Sequence, residues 1–119
     1  MSQQGVSHKL EARTAAEIGP TITNLGGSDL LVFIEATVDP AAAAVTVLID
    51  GLDPATGNWY NILTSAVVNA VEKRILRVSP HLAASANLIA NDIVPGTFRI
   101  RTTVADTDSM TYSIGYALT

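Results

Sequence analysis

Cysteine is absent from the 119 residues, so the chain can form neither a disulfide nor a thiolate metal site, and its redox compartment is left open. Histidine occurs twice, as His8 and His81, and neither stands at a metal-ligand spacing from a second ligand. Lys and Arg number only seven against eleven acids, which sets the net charge at −4, and they are scattered. No basic run exists that could neutralise several phosphates, so sequence-independent nucleic-acid binding is not expected. Long apolar runs are also missing: each is strand-length, far short of the ~20 residues of a membrane-spanning helix. The opening MSQQGVSHKL has no apolar segment of the signal-peptide kind. The expectation is a soluble protein made inside the cell, with no membrane and no nucleic-acid partner.

Signals for chemistry are equally sparse. There is no G-x-S-x-G elbow, no glycine-rich loop opening a helix and no EF-hand spacing. Asp39, Asp50, Asp53, Asp106 and Asp108 could gather around calcium only by long-range folding, and all five read as turn formers. With one Trp, three Tyr and two Phe, a sugar-stacking platform lacks material, and Trp59 reads as the largest core side chain. The expectation is a protein without catalytic residues, metal or cofactor. Only 15% of residues are charged and 48% are hydrophobic, which excludes disorder and suits a surface held against a partner.

What the sequence does contain is period-2 alternation between turn signals. Leu30, Val32, Ile34, Ala36 and Val38 alternate with Leu31, Phe33, Glu35 and Thr37. After Asp39-Pro40, Val45, Val47 and Ile49 alternate with Thr46, Leu48 and Asp50. Asp53-Pro54-Ala55-Thr56-Gly57 then reverses the chain before a third strand from Trp59. Residues 71–78 form a further strand opened by charge. In residues 97–104, Phe98, Ile100, Thr102 and Val104 face in while Arg99, Arg101 and Thr103 face out. Residues 110–118 alternate without a break, and with 97–104 they read as a terminal hairpin.

The segment 79–87 opens with Ser79-Pro80, an N-cap followed by proline at the first helical position, which predicts a short helix near 80–86. Residues 1–20 have no clean period and read as an extended N-terminal arm, with 9–14 as an edge strand the alternative. The whole is all-β: an antiparallel β-sandwich, Ig-like or jelly-roll-like, of about seven or eight strands over 21–119, with the arm at 1–20.

Three segments in series carry a family resemblance. They are Gly51-Leu52-Asp53-Pro54-Ala55-Thr56-Gly57-Asn58-Trp59-Tyr60, then Leu76-Arg77-Val78-Ser79-Pro80-His81-Leu82 running on to Asn91-Asp92-Ile93-Val94-Pro95, then Phe98-Arg99-Ile100 with Tyr112-Ser113-Ile114-Gly115. Over 45–119 the chain resembles small all-β virion structural proteins of tailed double-stranded DNA bacteriophages, of the head decoration or cement type. The resemblance implies a non-enzymatic β-sandwich made in the host cytoplasm and carried on the capsid surface of the virion, with the major capsid protein as partner. Lattice symmetry then favours a homo-oligomer, a trimer above all. The residues expected to touch the partner are Gln3, Gln4, Val6, His8, Leu10 and Arg13 of the arm and Ala41, Ala42, Ala43 and Ala44 of the apolar loop. Two other readings stay open. One is a tail or head–tail connector protein; the other is a carbohydrate- or host-surface-binding module, which requires Trp59 and Tyr60 to be exposed.

Overall fold

The structure is a computed structural model that describes residues 3–119. Nine strands follow in chain order: β1 (Gln3–Arg13), β2 (Ile22–Thr23), β3 (Leu30–Val38), β4 (Val45–Leu52), β5 (Trp59–Thr64), β6 (Glu72–Val78), β7 (Ile89–Ala90), β8 (Thr97–Val104) and β9 (Met110–Leu118). They build a five-stranded sheet in the order β1-β9-β3-β6-β7 and a four-stranded sheet in the order β2-β8-β4-β5. All pairings are antiparallel except the short β6–β7 contact.

The alternation in β3, β4, β8 and β9 decides which side chains meet between the sheets. Val32, Ile34, Val47, Ile49, Leu76, Phe98, Ile100, Tyr112 and Ile114 are all buried there in one cluster. Truncating one of the larger of these to Ala is expected to cost about 2–5 kcal/mol. The chain keeps changing sheets: β1, β3 and β9 lie in one, and β2, β4 and β8 in the other. This two-sheet alternation is the jelly-roll arrangement and not the immunoglobulin one.

Three local expectations are corrected. Residues 97–104 and 110–118 are strands, but they do not form a hairpin, because β8 and β9 belong to opposite sheets. Both present alternate residues to the same core, so the five-residue connection arches between layers. The short helix near 80–86 is not formed; residues 79–88 are irregular, with turns at 80–81 and 86–88 and a bridge from Ser85 to Ile89. The Pro80 and Leu82 carbonyls, which a helix would direct to residues 84 and 86, instead accept the Asn91 side-chain amide. The Ser79 N–H donates to the Ala90 carbonyl, so the expected N-cap belongs to β pairing. Val38 is exposed because an irregularity after Ala36 breaks the alternation at the end of β3.

Of the arm expected at 1–20, the first two residues lie outside those described. Gln3–Arg13 runs as an edge strand along β9, with register shifts at Val6/His8 and His8/Glu11. Residues 14–21 then cross to the other sheet, where the Glu17 carbonyl accepts the Thr102 N–H and the Gly19 N–H donates to the Ile100 carbonyl. A Cβ at Gly19 would lie 2.7 Å from that same carbonyl oxygen, so the crossing hugs β8 only because residue 19 is glycine.

Candidate interaction surfaces

The outward side chains of the five-stranded sheet form rows fixed by register. Val6 stands opposite Gly115, Gly115 opposite Phe33, and Phe33 opposite Ile75. The result is one apolar row across β1, β9, β3 and β6, with a dip at Gly115 where no side chain rises. Val6 is 65% exposed, Phe33 42% and Ile75 39%. The next row reads Gln4, Ala117, Leu31 and Arg77. On the other side Glu35 and Lys73 pair at 3.9 Å, an exposed contact that contributes little to stability.

Two shallow depressions flank this face and meet at Arg77. One, of about 510 Å³, lies among Leu31, Arg77, Ser79, Leu82, Ala117 and Thr119. The other, of about 540 Å³, lies among Phe33, Glu35, Lys73, Ile75, Arg77 and Leu88. At the rim of the first, the Ser79 hydroxyl donates to Asp29 and the His81 ring stands 3.4 Å from the same carboxylate. The Ser79 hydrogen bond, then that of His81, hold the Asp29 carboxyl below its ordinary range.

The residues expected to touch a partner divide by burial. Gln4, Val6, Leu10, Ala41 and Ala42 are exposed, whereas His8, Arg13 and Ala43 are buried inside the chain. Gln3 spends both ends of its amide on the fold, donating to the Thr23 carbonyl and accepting from the Leu25 N–H. Ala44 is half-buried, and Asp39 accepts the Ala43 N–H to close the loop. Of the set, Gln4 and Val6 are the ones that join the outward rows described above.

His8 and Arg13 belong to a polar cluster beneath the crossing of residues 14–21. His8 Nε2 faces the Glu17 carbonyl at 3.3 Å and Nδ1 faces the Ser7 hydroxyl at 2.9 Å. A carbonyl can only accept, so Nε2 carries the proton and Nδ1 accepts from Ser7. Arg13 bonds the Glu17 carboxylate at 2.9 Å, the Tyr112 carbonyl at 2.8 Å and the Lys9 carbonyl at 2.7 Å. Its guanidinium also lies over the Tyr112 ring, 4.6 Å from the centroid. Burial lowers the His8 pKa, against the raising effect of the Glu17 carbonyl and carboxylate. His8 and Arg13 are buried while the Glu11 and Glu17 carboxylates reach solvent, and the cluster fastens β1 to the body of the protein.

The outer face of the four-stranded sheet carries an ion group that sequence reading passed over. Asp50 is 1% exposed although its strand position points outward. Arg99 Nε and Arg101 Nε donate to the same Asp50 oxygen at 3.1 and 2.6 Å. Burial raises the Asp50 pKa, but hydrogen bonds from Arg101, Arg99 and Asn61 outweigh it, and the net shift is downward. Trp59 is half-buried beside this group, not in the core, with the Arg99 guanidinium 4.3 Å from its ring centroid. Of the other expected turn acids, Asp53 accepts from the Ala55 N–H and the Thr56 hydroxyl, and Asp106 accepts from the Asp108 N–H. The alternation in β8 announced outward arginines; only the β4–β8 register, Asp50 opposite Arg99, supplies their partner.

The chain matches no protein-family model and no curated protein sequence. Among solved structures it resembles the SPBc2 prophage-derived protein YomS, with a TM-score of 0.55 and 13% identity over 100% of this chain and 94% of that one. It also resembles VP2 of the infectious bursal disease virus subviral particle, with a TM-score of 0.55 and 9% identity over 98% of this chain. This chain spans 31% of the VP2 chain. The Yersinia pseudotuberculosis-derived mitogen YPM aligns with a TM-score of 0.50 and 12% identity over 100% of this chain and 85% of that one. At such identities the likeness is one of fold: an all-β body of two sheets that occurs in a prophage-derived protein, in part of a viral particle and in a bacterial mitogen.

Proposed function

We propose that this chain is a structural protein of a tailed-phage particle, without enzymatic activity, that binds the outer surface of the major capsid protein as a decoration or cement protein. The observation that carries this reading is the apolar row Val6, Gly115, Phe33 and Ile75 on the outer face of the five-stranded sheet. Apolar side chains from three strands, aligned in one row across the sheet and left in water, mark a surface kept for a protein partner. Support comes also from the three sequence segments that resemble phage virion proteins, and from a fold held in common with YomS and with part of VP2. YPM, a bacterial mitogen, shares the fold, so fold by itself does not decide function. The weight therefore rests on the face.

On a capsid each modest contact is repeated by the lattice, and self-association about a lattice axis, as a trimer, multiplies the avidity of each copy. A tail or connector role would use the same face against another repetitive wall. The carbohydrate reading draws less support. The Arg99 guanidinium covers one face of Trp59, and Tyr60, its strand neighbour, points to the opposite side of the sheet.

The test is co-sedimentation with capsid shells assembled without this protein, together with the mass of the free species by light scattering. Saturable binding at a fixed ratio to the capsid subunit, by an oligomer, is the expected result. A monomer that stays in the supernatant overturns the proposal, and density on the tail in imaged particles transfers it to the connector reading.

A further inference from the structure

The Asp50 group on the four-stranded sheet holds more positive charge than its own fold uses. The buried carboxylate has about four acceptor positions. They are taken by Arg99 Nε, Arg101 Nε and Nη2, and Asn61 Nδ2. Both Nη nitrogens of Arg99 and Nη1 of Arg101 make no hydrogen bond among the described residues, and the trio carries a net charge of +1. Arg99 is fixed on two sides, by Asp50 at its Nε edge and by Trp59 beneath its plane. Its Nη edge is thus directed away from Asp50, and the side chain retains 19% exposure, that of Arg101 27%. Leu48 and Leu52, two positions either side of Asp50, share this face and reduce the local screening.

We propose that Arg99 and Arg101, braced by Asp50 and Trp59, form a recognition site for a carboxylate presented by an acidic segment of a protein partner. A guanidinium fork matches the two oxygens of a carboxylate, and here the fork is already oriented, so little side-chain freedom is lost on binding. The site lies on the sheet opposite the apolar row and does not depend on the capsid reading. In a chain of net charge −4, its attraction is short in range and is removed by salt.

Trp59 is the single tryptophan of the chain and lies under Arg99, so its fluorescence reports directly on the site. The purified protein is titrated at low ionic strength with a short blocked peptide containing one glutamate, with its glutamine analogue, and with inorganic phosphate. The expected result is a saturable change with the glutamate peptide alone, abolished at about 1 M salt. Arg99→Gln and Arg101→Lys each weaken that binding about tenfold or more, the first by removing the charge and the second by removing the fork. Thermal melts establish that the variants fold; should Arg99→Gln unfold, Arg101→Lys, which keeps the charge on Asp50, carries the comparison. An equal response to the glutamine peptide, no saturation, unchanged affinity in the folded variants, or tighter binding of phosphate than of the glutamate peptide would each overturn the assignment.

Discussion

The hydroxyls of Thr102 and Tyr112 meet at 3.1 Å in the core, joining β8 of one sheet to β9 of the other. Thr102 also accepts the Glu17 N–H at 3.1 Å, so three parts of the chain converge on one hydroxyl. Burial raises the Tyr112 pKa, which keeps the phenol protonated and able to donate. Tyr112→Phe removes one member of a network that remains otherwise paired and should lower stability by about 1 kcal/mol. Thr102→Val orphans the Glu17 N–H as well and should cost more, about 1–3 kcal/mol. Urea unfolding measures both, as shifts in midpoint at constant slope. Equal costs would mean that the Glu17 contact contributes nothing.

Acid should destabilise the protein in two separate windows. The folded His8 has a pKa below 6.5, so the unfolded chain binds its proton first as pH falls. Stability is then unaffected above that unfolded value, declines as pH falls through 6.5 toward the folded pKa, and levels off below it. Asp50 acts lower down. Its folded pKa is depressed, so its contribution is complete above the unfolded carboxylate value of 3.8 and is lost as pH falls below that toward the folded pKa. His8→Gln retains a donor for the Glu17 carbonyl and should flatten the upper window while leaving the lower one. Chemical unfolding at pH 7.5, 5.5 and below 4 separates the two.

The strands themselves were legible because their apolar residues alternate, and in β3, β4, β8 and β9 the inward sets read from sequence are largely those buried. Sheet membership was not legible. A four- or five-residue connection such as 105–109 suits a hairpin and an arch equally, and it is the pairing of β8 with β4 and of β9 with β3, with Thr102 meeting Tyr112 between the sheets, that distinguishes them. The register shifts around His8 erase the period in β1, so an edge strand looked like an arm. Ser79-Pro80 is a sound helix start in isolation, but Asn91, eleven residues on from Pro80, claims the carbonyls. The apolar row and the Asp50 group were hidden for a related reason, since each is assembled by register between strands far apart in sequence.

Ala42 occupies the left-handed region, with φ of 52°, inside the loop that Asp39 closes onto Ala43. An L-residue there bears about 1–2 kcal/mol of steric strain, partly offset by the smaller entropy it loses on folding relative to glycine. Ala42→Gly should therefore stabilise the protein by about 0.5–1 kcal/mol and raise Tm by roughly 2–4 °C. Calorimetry decides it. A lower Tm would show that residue 42 does not hold this conformation in solution.

The apolar row makes the capsid reading specific enough to fail. Phe33 and Ile75 face each other across β3 and β6 on the outer surface, so replacing both by Thr preserves strand propensity and should change stability by no more than about 1 kcal/mol. The same double variant should weaken capsid binding by about thirtyfold or more, the equivalent of about 2 kcal/mol for a central interface pair. Tyr60→Ser removes a comparably exposed ring from the four-stranded sheet and should leave capsid binding unchanged. Sedimentation with shells lacking the protein measures all three chains side by side. Loss of binding in Tyr60→Ser, with the double variant still bound, would move the contact to the other sheet and leave the row without a role.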